Sequence, residues 1–233
     1  MKFENSINNK LDEIWESEFS DDDERVLLPL YYSNLKQNCP LFIGMNPSYS
    51  SKGFKQILKE SMHEDLNVDE YFKWINRNDR DIAIELSKIA KYKIPFFTKF
   101  RKIADELGDE ENWEHIDLFH YRHTNQNEFK KIIFQNMSTQ ELKPFGLKQI
   151  KIFKEMFFHI NPTVVIVANA LASKIFEKTF QLEDKFSNDD GHHIIKMNGK
   201  HIPVFLCSMF SGQRALDNYS YQRLKWHIKL SLK

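Results

Sequence analysis

Cysteine is nearly missing from this 233-residue chain, with Cys39 and Cys207 the only two. Two cysteines build neither a disulfide framework nor a four-cysteine zinc site or iron–sulfur cluster, so any chemistry here runs without one. Long apolar runs are missing as well. No stretch approaches the ~18 residues that a membrane span needs, and Met1 to Ser20 is acidic and helical in texture where a secretory signal is basic and then apolar. These absences predict a cytoplasmic protein without membrane contact. Net charge is zero, with 33 Lys plus Arg against 33 Asp plus Glu, so the total favours no polyanionic partner. Glycine is scarce at 7 residues of 233, less than half the usual ~7%, which makes the retained glycines informative.

What is present is the composition of a folded domain. The chain is 41% hydrophobic and 28% charged, enough for a sizeable core, and its length fits a single domain over residues 1–233. The charge is segregated: Asp12 to Glu24 holds eight acidic residues, Lys91 to Lys102 five basic and no acidic ones, and Gln213 to Lys233 five basic against Asp217 alone. Such segregation is expected to put a positive field on one face. Four short apolar runs read as strands: Pro40 to Ile43, His115 to Phe119, Thr163 to Ala168, and Pro203 to Cys207. Their lack of polar alternation is what strands buried on both faces require, so they predict a mostly parallel, four-stranded sheet.

Helical periodicity fills the intervals. Ile7, Leu11, Ile14 and Trp15 share one face, and Asn67 with Glu70 resembles a capping box opening the segment of Tyr71, Phe72 and Ile75. Pro95 starts a helix that stops at Gly108; Leu147, Ile150, Phe153 and Phe157 form a further stripe; Leu171, Ile175 and Phe176 another; Asp217 or Asn218 caps the last. Asn198-Gly199 reads as the turn of a hairpin feeding the final strand. Strands alternating with helices predict a three-layer α/β/α sandwich.

Ligands of open α/β sheets bind beyond the carboxyl ends of the strands. Here those ends are Gly44-Met45-Asn46-Pro47-Ser48-Tyr49, Asp117 to Arg122, Ala168-Asn169-Ala170, and Ser208 to Leu216. Gly44-Met45-Asn46-Pro47-Ser48 after an apolar strand resembles the first motif of the uracil-DNA glycosylase superfamily, which reads Gly-Met-Asn-Pro-Gly or Gly-Ile-Asn-Pro-Gly in its single-strand-selective and mismatch-specific branches. The strand followed by Ser211-Gly212 resembles its last motif, His-Pro-Ser-Pro or Asn-Pro-Ser-Gly. The resemblance spans most of the chain in order and spacing. It implies a DNA-repair glycosylase that hydrolyses the N-glycosidic bond of a damaged or deaminated base, acting as a monomer on single- or double-stranded DNA, with no cofactor and no metal.

Breaking that bond passes through an oxocarbenium-like sugar while the departing base gathers negative charge, so a site needs a held water on one side and donors on the other. Asn46 is the candidate to hold the water. An amide cannot take a proton as a carboxylate does, and Asn46→Asp is therefore expected to raise the rate. Gly44 would admit a ligand close to the backbone, and Pro47 would stiffen the loop. Met45 and Ser48 would contact the base, and Tyr49 or Phe54 would stack on it. Where the family reads the base with an Asn, alignment of strand ends places Asp117, with His120 next. An ionised Asp only accepts, which disfavours a uracil edge and suits a base bearing an exocyclic amine. The last motif departs further: Met209 stands where the family has a catalytic His or Asn, Phe210 where it has Pro, and Gln213 and Arg214 fall at the position that wedges into the duplex, beside Ser211 and Gly212 as DNA contacts. These departures keep open a second reading, a superfamily relative that binds nucleic acid or a nucleotide without cleaving it. A free-nucleotide protein of another type is disfavoured, since no Gly-x-Gly-x-x-Gly or P-loop pattern is present. His192-His193 and the Asp21 to Glu24 run lack recognisable zinc or calcium spacing.

Overall fold

The computed structural model describes residues 2–20, 22–77, 80–212 and 215–232. It is mixed α/β, with a mostly parallel central sheet. The chain groups into two compact units. One comprises Met1–Asn34, Asn46–Phe97 and Phe119–Lys154; the other comprises Leu35–Met45, Thr98–Leu118 and Glu155–Lys233.

The second unit holds the sheet. Its strands are β1 (Pro40–Gly44), β2 (Glu114–Asp117), β5 (Val164–Ala168), β6 (Phe186–Ser187), β7 (His192–Met197) and β8 (Lys200–Cys207), ordered β2-β1-β5-β8-β7-β6. The first four run parallel, and β7 and β6 are antiparallel additions. Every residue of β1 and β5 is buried, as the unbroken apolar runs predict. The four expected strands are all present, but the sheet has six. The added strands are β6, which the sequence did not suggest, and β7, the first arm of the expected hairpin: Asn198 (φ 50°) and Gly199 (φ 74°) both take positive φ, the requirement of a type I′ turn, and β7 thereby pairs along β8.

The second strand is also shorter than expected, ending at Asp117, although the Leu118 N–H still donates to the Gly44 carbonyl at 3.1 Å. Phe100, on α5 (Thr98–Glu106), packs with Phe42, His115 and Phe210. The helix ends in a Schellman arrangement, with Gly108 at φ 78°, its N–H on the Asp105 carbonyl and the Asp109 N–H on that of Ala104. Asn169 caps α8 (Ala170–Phe180) and Asp217 caps α9 (Asn218–Ser231), each side chain accepting from two backbone N–H groups.

The first unit is largely helical: α1 (Phe3–Glu18), α2 (Ser51–Leu58), α3 (Val68–Tyr71), α4 (Arg80–Lys93) and α6 (Gln126–Ile133), with a small β3–β4 hairpin (Phe134–Asn136, Glu141–Leu142). The boundary between the units falls within α7 (Pro144–Ile160). In α1, Ile7, Leu11 and Trp15 are buried, and the Trp15 indole donates to the Leu27 carbonyl at 2.9 Å. Asn67 caps α3 as expected, but the helix lasts four residues. Its continuation is lost because the Phe72 carbonyl accepts from the Leu28 N–H, and the Trp74 N–H donates to Val26, both at 2.8 Å.

In α7 the stripe holds at Ile150, Phe153 and Phe157, which are buried, but not at Leu147, which is 56% exposed, and Gln149 is fully buried beside it. The Gln149 side chain accepts from the backbone N–H groups of His120 (2.7 Å) and Tyr121 (3.1 Å), which no strand partner serves. Gln149→Leu is accordingly expected to cost about 2–3 kcal/mol by orphaning two buried donors. It should appear as a lower urea midpoint at unchanged slope; an unchanged midpoint would show that those amides find other acceptors.

Candidate functional site

In the sheet-bearing unit the connections change direction at β1. The chain passes from β1 to β2 on one side and later from β5 to β8 on the other, which makes the carboxyl ends of β1 and β5 a topological switch point. Gly44 closes β1 there, and Asn169 follows β5. Ser173 on α8 donates to the Cys207 carbonyl at 3.2 Å, joining the ends of β5 and β8.

Gly44 is in register with Asp117. A Cβ on Gly44 would lie 2.1 Å from Asp117 Oδ1 and 3.1 Å from His115 Nε2. The glycine is thus required by the buried Asp117 carboxylate lying across it, where the sequence suggested room for a ligand. Met45 is buried. At the end of β8, Phe210 is a core anchor against Phe100 and Tyr221. Around it Met209 is half-buried, and its carbonyl accepts from the Leu216 N–H at 2.8 Å. Ser211 is half-buried, and Gly212 is exposed with φ 85°. Gln213 and Arg214, expected as the wedge, lie outside the described residues.

In the other unit, Asn46 fastens the first-motif loop to the segment after Phe119. Its Nδ2 donates to the carbonyls of His123 (2.9 Å), Pro47 (3.2 Å) and Tyr121 (3.4 Å), and its Oδ1 accepts from Gln126 Nε2 at 3.2 Å. The His123 N–H on the Pro47 carbonyl (3.0 Å) and Thr124 Oγ1 on that of Tyr49 (2.6 Å) complete the lacing. The amide end facing three carbonyl oxygens must be the nitrogen, so a carboxylate at this position would keep the Gln126 donor at one oxygen and set its other oxygen against acceptors only. Asn46→Asp therefore costs the loop its donor, a penalty that the sequence did not show. Oδ1 retains one lone pair beyond the Gln126 bond, and a water hydrogen can bind there.

The aromatic residues after the motif pack on one another. The Tyr49 and Phe54 rings are stacked with centroids 5.6 Å apart, and both lie against Phe72. Phe54 is buried, and the Arg122 guanidinium sits 5.1 Å from the Phe72 ring centre and 5.8 Å from that of Phe54 while donating to Ser87 Oγ at 3.2 Å. Tyr49 donates to the Val68 carbonyl and to Asp69 Oδ1; burial and then the Asp69 carboxylate push its phenol well above the usual range. Phe54 is therefore a core aromatic in this conformation, and Tyr49, half-buried, is the more accessible of the two. Ser48 is exposed.

His120, expected as a base reader, is instead a core histidine with no exposed surface. Its Nδ1 meets the Tyr32 hydroxyl at 3.0 Å, and desolvation pushes its pKa down to about 3. Because the folded value lies below the unfolded ~6.5, the unfolded chain takes up the proton first, and stability falls as pH drops from about 6.5 toward 3. His120→Gln is expected to flatten the melting temperature against pH over that window relative to the parent; parallel curves would remove His120 as a contributor.

The basic segments are partly neutralised. Lys93 pairs with Glu60 at 2.6 Å in one unit, and in the other both Lys225 and Lys229 pair with Glu106. Sequence reasoning did not find Gln126 or Gln149, nor the aromatic setting of Arg122. Gln149 had a signal, being a polar residue one position before Ile150 within an apolar stripe. Among the described residues no group of three or more His, Cys, Asp or Glu is placed to hold a metal ion, and no helix is long and apolar enough to cross a membrane. Searched against protein-family models and against curated protein sequences, the chain matches none.

Proposed function

We propose that the chain is a glycosylase of the uracil-DNA glycosylase type, with a three-layer α/β/α arrangement, that hydrolyses the N-glycosidic bond of a damaged or deaminated base in DNA. The observation that carries the reading is the position of the Gly44-Met45-Asn46 segment: it leaves β1 at the switch point of a parallel sheet, where α/β proteins bind their ligands. In this mechanism Asn46 orients the water. Its nitrogen is spent on three backbone carbonyls, which fixes the amide plane, and the remaining Oδ1 lone pair accepts a water hydrogen and turns the water oxygen toward the sugar. Activation is weak, because an amide does not accept the proton. Asp117, where the family has an amide, favours a base whose edge donates.

The test is cleavage at abasic sites in oligonucleotides carrying uracil, hypoxanthine, xanthine or alkylated bases, under single-turnover conditions. Excision of at least one base by the parent is expected, with Asp117→Asn shifting the ranking toward uracil. Efficient uracil excision by the parent at pH 8, or a ranking unchanged in the variant, would make Asp117 structural. Met209, a side chain that donates no strong hydrogen bond, supports the second reading of a binder without cleavage. Retained binding with no product from any base would favour it.

A further inference from the structure

The last helix presents a face that the rest of the chain does not use. Tyr221 and Ile228 of α9 are buried, and the Tyr221 hydroxyl donates to the Lys99 carbonyl at 2.8 Å. On the other side Tyr219 is 85% exposed, Trp226 61% and Leu230 49%, with Gln222 and Arg223 exposed among them. At ~100° per residue these five positions fall within about 100° of arc, so they form one stripe. The other three tryptophans, Trp15, Trp74 and Trp113, are at most 1% exposed. Placing the one remaining indole in water is costly unless something covers it.

The charges on the helix decide what that is. From Asn218 to Ser231 there is no Asp or Glu. Lys225 and Lys229 are held by Glu106, which leaves Arg223, between the two exposed aromatic rings, without an ion-pair partner among the described residues. A purely apolar partner would strip water from that guanidinium and return nothing. A second copy of the helix would bring another cation and no anion. An occupant with flat apolar faces and regularly spaced negative charge satisfies both demands. We infer that the Tyr219–Arg223–Trp226 face of α9 binds single-stranded nucleic acid, with bases stacked on Trp226 and Tyr219 and a phosphate on Arg223. This extends the nucleic-acid reading above but rests on α9, and it requires no catalysis at Asn46.

Trp226 is its own reporter. Titration of the full chain with oligo(dT) at low salt is expected to quench the exposed-tryptophan emission saturably. Trp226→Ala and Tyr219→Ala should each weaken binding of a labelled oligo(dT) by about 5- to 150-fold, as loss of one stacked base implies. Trp226→Phe should retain most of the affinity, and Arg223→Gln should reduce the slope of log K against log salt by about 0.7. Both residues are solvent-facing, and circular dichroism verifies that the variants fold. An unaltered Trp226 emission, or equal affinity in Trp226→Ala, overturns the inference. So does sedimentation showing a dimer that Trp226→Ala dissolves, which would assign the face to a second copy. Quenching by oligo(dT) without excision of any base retains this surface and removes the glycosylase reading; excision with an inert Trp226 does the reverse.

Discussion

Gly44→Ala is expected to destabilise the protein by about 3 kcal/mol, roughly 6–12 °C in melting temperature for a chain of this size. The added Cβ would sit 2.1 Å from Asp117 Oδ1, a separation no pair of non-bonded atoms sustains. Neither side yields cheaply. β1 is paired on both edges, to β2 and β5, so its backbone cannot move away without disturbing two ladders. Asp117 is buried on a short side chain, with His115 Nε2 3.1 Å from the same point. Combining Gly44→Ala with Asp117→Ala should therefore cost less than the sum of the two single changes, a coupling of 1 kcal/mol or more in denaturant midpoints. Additivity within about 0.5 kcal/mol would show that the clash is relieved elsewhere. The result also separates two reasons for the glycine: if its purpose were ligand access alone, Gly44→Ala would be stable and inactive.

Asn46→Ala is expected to lower the single-turnover excision rate by roughly 10²-fold or more while changing DNA affinity little, since a held water matters chiefly in the transition state. It should also cost about 1–3 kcal/mol of stability, because three loop carbonyls lose their common donor. Asn46→Asp is the sharper variant. Its carboxylate would face the carbonyl oxygens of Pro47, Tyr121 and His123, so its pKa in the folded protein must rise above the unfolded ~3.9. With the folded value raised, the penalty is full above that folded pKa and fades as pH falls through it. Asn46→Asp should thus be less stable than Asn46→Ala at pH 8 and approach or exceed it near pH 4, by thermal melts at both values. An Asp variant as stable as the parent at pH 8 would contradict the amide orientation, and an Ala variant as active as the parent would remove Asn46 from the chemistry.

Much of the framework was legible without coordinates, for local reasons. Strands buried on both faces have no solvent side and so read as unbroken apolar runs, which located β1, β5 and β8. Caps are local exchanges of hydrogen bonds, which is why Asn67, Asp217 and the Asn198-Gly199 turn were visible in a few residues. Segment extent was less legible, because it depends on partners far along the chain. Asn67 starts a helix, but Val26 and Leu28 end it by taking the backbone groups of Phe72 and Trp74. β6 is two residues long and exists through its ladder with β7.

The division is sharpest among the candidate site residues. The sequence by itself determined that a Gly-Met-Asn-Pro loop follows an apolar strand and that an Asp ends the neighbouring one, because these are facts of order and local preference. Only the tertiary structure decided what each group faces. It laid the Asp117 carboxylate over Gly44, spent the Asn46 nitrogen on three carbonyls, sank His120 out of reach of solvent and paired two of the C-terminal lysines with Glu106. Hydrogen bonds and ion pairs act over a few ångströms between residues that here stand 75 to 77 positions apart at Asn46 and 119 at Lys225. Separations of that length leave no periodicity in the chain, so the partners become visible only once the backbone has brought them together.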